Sequence, residues 1–241
     1  MQRIFGFGET VAGYDVPVLN EREVRAAAGI LFFFALVSFM NAWLMGNFRL
    51  TRIFVIAFLI DFTIRIFINP KFSPSFIVGR FAVRKQAPEY AGASQKRFAW
   101  AVGWVLAVTM LYLIVIKNVI GPINLIVCAT CLTLMFFESA FGICLACKIY
   151  NLFSRQPAQH CPGGICAVGA GRSFQKVGTG ETAIVVAFLA VIGFIGQHFF
   201  PPVAAPNPAP VTATADAKCT PPDWAVAMGH AEMWKLHNNC K

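Results

Sequence analysis

The sequence predicts an all-α integral membrane protein: a bundle of about five transmembrane helices with a small disulfide-closed helical tail. Three observations predict it. Of the 241 residues, 57% are hydrophobic and only 13% are charged, too few polar residues to cover a soluble domain of this length. Several uninterrupted apolar runs of about 20 residues match the thickness of a bilayer. Positive charges collect in alternate loops, as they do in multi-pass membrane proteins.

The five predicted spans follow from the apolar runs, taken in order along the chain. They cover residues 25–46, 51–68, 98–117, 121–149 and 182–200. The residues before the first span are polar and mixed, so we expect no cleavable leader and a first helix that is retained. The second span contains Asp61 and Arg65, but its remaining residues are too apolar for a loop. The fourth is long enough to tilt or to project beyond the bilayer.

Lysine and arginine residues predict the orientation of the spans. They are frequent before the first span, between the second and third, and between the fourth and fifth, and they are sparse in the other loops. Because cytoplasmic loops carry the excess of positive charge, this pattern predicts an N-in/C-out topology. The net charge of +9 then reflects loops beside anionic lipid. Nucleic-acid binding is not expected, because no binding motif accompanies the charge.

The chain divides into a four-helix membrane domain at residues 1–180, a fifth transmembrane helix at 181–200 and an extracytoplasmic tail at 201–241. The tail begins with a Pro/Ala-rich linker and ends in a helix expected from about Trp224 to His237. Cys219 and Cys240 flank this helix. We expect them to form a disulfide, which stabilises a loop of about 20 residues by about 3 kcal/mol. The alternative is a copper or haem site that uses Met228, His230, Met233 and His237.

Four further cysteines lie at the end of the fourth span and in the loop that follows it: Cys144, Cys147, Cys161 and Cys166. The first pair is three residues apart on one helical face, and the CPGGIC sequence predicts a turn that brings the second pair together. Thiols stay reduced on the cytoplasmic side, so no permanent disulfide is expected there. A cluster of four thiols fits thiol–disulfide or persulfide exchange. The alternatives are a zinc site formed by all four cysteines, an iron–sulfur cluster and plain packing. No other cofactor is predicted.

Helix electrostatics predicts unequal roles for the two cysteine pairs. The first pair lies at the predicted C-terminus of a helix, where the negative end of the helix dipole disfavours a thiolate. Cys161 and Cys166 lie in a basic loop, where a thiolate is favoured. The sequence therefore predicts that the attacking thiolate belongs to the second pair.

Ionisable residues within the predicted spans are Asp61, Arg65 and Glu138. Charged groups in a bilayer usually face the bundle interior and pair, so we expect these three to form one membrane-buried polar network. The network is either a structural clasp between the second and fourth helices or a polar track for a proton or small anion. Around a straight helix Glu138 lies about 180° from Cys147, so the carboxylate and the thiols are not expected to share a site.

Two segments, DFTIRIFINPKFSP and FESAFGICLACKIYNLF, resemble an uncharacterised bacterial membrane family, domain-of-unknown-function family number 4395. The matching motifs fall at Asp61 to Arg65, Asn69 to Pro74 and Cys144 to Tyr150. The resemblance covers residues of about 15–170, and the fifth span and the tail look like an addition. It implies a bacterial inner membrane, and the topology predicted from the positive charges then places the tail in the periplasm. Some members resemble fusions or neighbours of thioredoxin-like proteins, which implies thiol or sulfur handling but no established activity.

Two functional hypotheses follow. The first is an inner-membrane protein of thiol–disulfide redox or sulfur handling that works through the cytoplasmic CxxC and CxxxxC cysteines, with a thioredoxin-like protein as its partner. The alternative is a non-catalytic accessory or assembly subunit of a larger membrane complex, in which the cysteines are structural or bind zinc. The two hypotheses differ on whether the protein is an enzyme.

Overall fold

The computed structural model of the chain describes residues 7–9, 11, 17–153, 177–201, 219–238 and 240. This part is mostly helical, which confirms the predicted all-α class. The helices and the two short strands follow in the order β1 Val18–Asn20, α1 Glu21–Met45, α2 Arg49–Thr63, α3 Pro74–Val83, β2 Tyr90–Gly92, α4 Ala93–Met110, α5 Pro122–Phe136, α6 Leu145–Phe153, α7 Thr179–His198, α8 Asp223–Ala227 and α9 Ala231–His237. Three helices continue as π-helical turns at Ile64–Ile68, Leu111–Ile116 and Phe137–Phe141.

Within the described residues, four helices are long and apolar enough to cross a membrane: Glu21–Met45, Lys96–Ile116, Pro122–Phe141 and Thr179–His198. Large hydrophobic side chains such as Phe33, Leu44 and Val186 are exposed on these helices, as expected for surfaces that contact lipid. The predicted second span is also one continuous helix, formed by α2 and its π-helical turn. This helix is not one of the four membrane-length apolar helices. It carries four charged residues: Arg49, Arg52, Asp61 and Arg65.

Local sequence explains where α1 begins and how closely α3 packs on it. The Asn20 side chain accepts a hydrogen bond from the Arg22 backbone N–H, and this cap starts the helix. Gly79 of α3 lies directly against α1, where an added Cβ would sit 3.0 Å from the backbone nitrogen of Ala27. The side of α1 that faces inward is rich in alanine, including Ala28 and Ala35. Small residues on both helices therefore allow the two backbones to approach each other.

We call the two ends of the bundle the sheet end and the tail end, after the elements found at each. The sheet end contains the antiparallel β1–β2 pair, α3, α6 and the beginnings of α1, α4 and α7. At this end Arg80 of α3 contacts Glu181 of α7 at 2.8 Å. The tail end contains the α1–α2 connection, the residues between α4 and α5, the end of α7 and the C-terminal tail. There an added Cβ at Gly46 would lie 2.6 Å from the Trp224 ring.

The C-terminal tail is closed by a disulfide between Cys219 and Cys240, whose Cα atoms are 5.5 Å apart. This confirms the predicted disulfide-closed tail. The single predicted helix is instead two short helices, α8 and α9, because Gly229 between them adopts a left-handed conformation with φ of 72°. The tail packs back on the bundle through Trp43 and His230, whose rings are 5.0 Å apart. The predicted Pro/Ala-rich linker lies outside the described residues, apart from residue 201.

The fourth predicted span is wrong at its C-terminal end. It was expected to continue to residue 149, but the membrane-length helix ends at Phe141. Gly142 ends it with φ of 66°, a left-handed conformation that favours glycine. An added Cβ at this glycine would lie 3.0 Å from the Arg25 guanidinium carbon, so α1 also restricts the turn. Cys144 and Cys147 are therefore not part of the spanning helix.

Candidate functional site

The Cys144–Cys147 pair lies at the beginning of α6. The Cys144 carbonyl accepts a hydrogen bond from the Lys148 backbone N–H at 3.1 Å, which makes Cys144 the residue that caps the helix. The two cysteines form a disulfide, with Cα atoms 5.1 Å apart. The prediction that this pair sits at a helix C-terminus is therefore wrong, because the break at Gly142 starts a new helix. Gly142 is the signal in the sequence that could have indicated this break.

The two sulfur-bearing residues differ in exposure. Cys147 is 1% exposed, whereas Cys144 is only partly buried. The Cys147 backbone N–H donates a hydrogen bond to Cys144 Sγ over 3.3 Å. Backbone N–H groups at a helix N-terminus stabilise negative charge on a sulfur, the opposite of the predicted electrostatics. Cys144 is therefore the more exposed residue of the pair.

Cys144 also lines a cavity of about 70 Å³ inside the sheet end of the bundle. Arg65, Lys96 and Glu138 line the same cavity, together with apolar side chains that include Trp100. The prediction that the Glu138 carboxylate and the thiols do not share a site is therefore wrong. It assumed one straight helix from Glu138 to the cysteines, and the turn at Gly142 brings them to the same side.

Lys96 is the partner of Glu138. Its Nζ lies 2.5 Å from a Glu138 oxygen and 2.9 Å from a Glu21 oxygen. The three side chains are largely buried, with 7% of Lys96, 13% of Glu138 and 17% of Glu21 exposed. Sequence reasoning missed Lys96 and Glu21, because each lies at the start of an apolar helix and resembles an ordinary loop residue. The structure has two ion-pair clusters, and Arg65 of one and Glu138 of the other line one cavity. The single network of Asp61, Arg65 and Glu138 stays a prediction.

The second cluster is the Asp61–Arg65 ion pair, with 2.7 Å between Arg65 Nε and Asp61 Oδ2 and only 2% of each side chain exposed. Ser73 Oγ donates to Asp61 Oδ1 at 2.6 Å, and the Ser75 backbone N–H donates to the same oxygen at 2.9 Å. The Phe62, Phe76 and Trp100 rings lie 4.6, 4.8 and 5.4 Å from the guanidinium carbon. The Asp61 to Arg65 motif and the Asn69 to Pro74 motif thus form one folded unit beside the cavity.

A third ion pair joins α7 to the sheet end. Arg80 contacts Glu23 at 3.2 Å and Glu181 at 2.8 Å. Burial alone would lower the pKa of Arg80, but the two carboxylates outweigh this effect and hold that pKa above its usual value. Arg80 therefore stays charged and ties α3, α1 and α7 together.

Cys161 and Cys166 lie outside the described residues. Of the predicted four-cysteine cluster, and of the alternative zinc site, the structure therefore locates Cys144 and Cys147 alone. In the described part of the chain, no three His, Cys, Asp or Glu side chains are grouped closely enough to hold a metal ion. Cys128 and Cys131 of α5 are free and partly buried, in keeping with a packing role.

The fold and the site define a class of protein: a helical protein with four membrane-length helices and a CxxC disulfide at the start of a helix, beside buried ion pairs. A family model described as Domain of unknown function (DUF4395) matches residues 19–155. The chain belongs to this uncharacterised family. The match contains every described element from α1 to α6 and ends before α7 and the tail. No curated protein and no solved structure matches the chain.

Proposed function

We propose that the protein exchanges thiols and disulfides through the Cys144–Cys147 pair. The observation that carries this proposal is the position of the pair at the N-terminus of α6, with Cys144 partly exposed and Cys147 buried. That arrangement favours a stable thiolate and gives the two cysteines different tasks.

The proposed reaction begins when a thiolate of a partner dithiol attacks Cys144 Sγ. A bond forms between the partner sulfur and Cys144, the Cys144–Cys147 bond breaks, and Cys147 leaves as a thiolate that takes up a proton. The second partner thiolate then attacks the partner sulfur of the mixed disulfide and releases Cys144, which also takes up a proton. Two electrons and two protons pass from the partner to the protein, and the partner leaves as a disulfide.

The proposed partner is a thioredoxin-like dithiol protein, and the proposed location is a bacterial inner membrane with the sheet end in the cytoplasm and the tail in the periplasm. Positive side chains support this N-in/C-out orientation, since the sheet end carries Arg22, Arg25, Arg84, Lys85, Arg97 and Lys148. In this orientation the cytoplasmic thiol pool would reduce the pair repeatedly, so the disulfide would be a working state. Cys161 and Cys166 are proposed to exchange with the first pair.

Redox titration tests the exchange proposal. Purified protein is equilibrated with buffers of known thiol–disulfide potential, trapped with maleimide, and the labelled cysteine peptides are quantified by mass spectrometry. We expect Cys144–Cys147 to be reduced at about −180 to −270 mV, the range of exchange proteins, while Cys219–Cys240 stays oxidised. In the Cys147→Ser variant, we expect the Cys144 thiolate to attack the disulfide form of the partner, which releases one partner thiol and leaves the partner trapped as a mixed disulfide on Cys144.

The matched control is Cys131→Ser, which alters a free cysteine of α5 and should leave the titration unchanged. A Cys144–Cys147 pair as resistant to reduction as the tail disulfide, or no mixed disulfide on Cys144, would overturn the proposal. The accessory or assembly role would then be the better explanation.

Accessibility labelling tests the orientation. Single-cysteine variants in intact spheroplasts, treated with a membrane-impermeant maleimide, should label at Cys219 or Cys240 and not at Cys161 or Cys166. Permeabilised spheroplasts provide the control, since all four positions should then react. Labelling of Cys161 from outside would reverse the orientation and expose the Cys144–Cys147 pair to an oxidising compartment.

A further inference from the structure

We propose that the C-terminal tail is a lid over a cavity at the tail end of the bundle, and that the Cys219–Cys240 disulfide keeps this lid closed. The lid is the disulfide-closed part of the tail, Cys219–Cys240. The cavity has a volume of about 270 Å³ and lies between the lid and helices α1, α2 and α5. It is at the opposite end of the bundle from Cys144–Cys147, so the proposal does not depend on thiol exchange by that pair.

Two contacts hold the lid against the end of α1. The Trp224 ring of α8 lies against Gly46, where an added Cβ would be 2.6 Å from a ring carbon. The His230 ring meets the Trp43 ring edge to face, with the ring centroids 5.0 Å apart. Both contacts partly bury aromatic surface of the lid against the bundle, so moving the lid away would expose that surface to water.

Ala227 and Met228 are the lid residues that line the cavity, and they lie along the chain between the two anchoring rings. The other walls belong to the helical bundle and are mostly apolar, with Phe39, Ile114 and Leu125 among them. Those walls fall within the residues that match the family model, whereas the lid lies outside the match. The family domain therefore builds the cavity, and the lid covers a side that this domain leaves open.

The disulfide determines whether the lid can keep its shape. Among the described residues of the lid, the one buried hydrophobic side chain is Ala225, while Val226, Met233 and Leu236 are exposed. A segment with so small a core depends on its cross-link and on the bundle for a fixed structure. A dithiol would reduce the bond by two successive exchanges, which leave both lid cysteines as protonated thiols and the dithiol as a disulfide. The lid then loses its fixed shape, and the cavity opens on that side.

Cys128 of α5 reports on the state of the lid. It lines the cavity and is a free thiol. Cys131, one turn further along the same helix, is also free but is not among the residues that line the cavity. A charged, water-soluble methanethiosulfonate does not enter lipid, so it reaches Cys128 from the aqueous side. Its reaction with Cys128 therefore measures opening of the cavity, and its reaction with Cys131 measures general loosening of the bundle.

The test compares the full-length protein with the full-length Cys219→Ser/Cys240→Ser variant, both in lipid nanodiscs. The modified cysteines are located and quantified by peptide mass spectrometry. We expect Cys128 to react about tenfold faster in the variant, because a disulfide that closes a loop of this length contributes more than the free energy of a tenfold change in population. Wild-type protein that is reduced with dithiothreitol, then freed of it without oxygen, should react like the variant. Equal rates for Cys128 in the oxidised wild type and the variant, or an equal acceleration at Cys131, would overturn the proposal.

Two further variants keep the disulfide and test the contacts of the lid. Trp224→Ala removes one anchoring ring and should also accelerate the modification of Cys128. Leu236→Ala is the matched control, because it alters a lid side chain that is 79% exposed, and it should leave the rate unchanged. An unchanged rate in Trp224→Ala, or the same acceleration in Leu236→Ala, would contradict the assignment of the lid.

Discussion

Replacing Asp61 by asparagine is expected to lower the free energy of unfolding by about 3–5 kcal/mol. The substitution leaves the Arg65 charge in place, and only 2% of that side chain is exposed. Ser73 and Ser75 still accept hydrogen bonds from the guanidinium, but their hydroxyl groups carry no compensating charge. An uncompensated buried cation therefore destabilises the helix that carries it and the α3 segment packed against it.

The measurement is thermal or denaturant unfolding of the detergent-solubilised protein, followed by tryptophan fluorescence. Glu232→Gln is the matched control, because it breaks the Lys235–Glu232 pair of the tail, in which the glutamate is 86% exposed. We expect little change from it, since exposed ion pairs contribute little. The double variant Asp61→Leu with Arg65→Met removes both charges and should recover much of the loss. A loss from Asp61→Asn no larger than that from Glu232→Gln would contradict the buried ion pair.

Replacing Lys96 by methionine is the second change with a large expected effect, again about 3–5 kcal/mol. Lys96 forms an ion pair with both Glu21 and Glu138. Without it two largely buried carboxylates face each other with no cation between them. Methionine fills most of the volume of the lysine stem, so the loss reports on charge more than on packing. Unfolding of the purified variant is measured as for Asp61→Asn.

Glu138→Gln tests whether these three residues act as one cluster. It should cost less than Lys96→Met, because Lys96 keeps Glu21 as a partner. Combining the two substitutions removes one of the two opposed carboxylates, so the double variant should be more stable than Lys96→Met alone. Strictly additive losses would mean that Lys96 and Glu138 do not interact.

The membrane class and three of the spans were predictable because they depend on local properties. Composition and the length of an apolar run identify a membrane helix whatever its neighbours are. The predicted spans at 25–46, 98–117 and 182–200 accordingly correspond to membrane-length helices at 21–45, 96–116 and 179–198. The Cys219–Cys240 disulfide is local in the same sense, because the two cysteines bracket one short helical segment.

The Asp61–Arg65 pair was also predictable, because residues four apart on a helix face each other. Its partner Ser73 belongs to the motif at Asn69 to Pro74, which the sequence places next along the chain, and its partner Ser75 follows that motif directly. The local sequence therefore determined the class of protein, the approximate spans, the tail disulfide and one ion pair.

Only the tertiary structure decided the composition of the candidate site. Glu138 pairs with Lys96, 42 residues away, because α4 and α5 pack so that the beginning of one meets the end of the other. Helical periodicity places a side chain on a face but does not determine which other helix lies against that face. The helix break before Cys144 has a similar origin, because Gly142 turns against the Arg25 side chain of α1. Cys144 and a charge cluster thus line one cavity through contacts between helices that are distant in sequence.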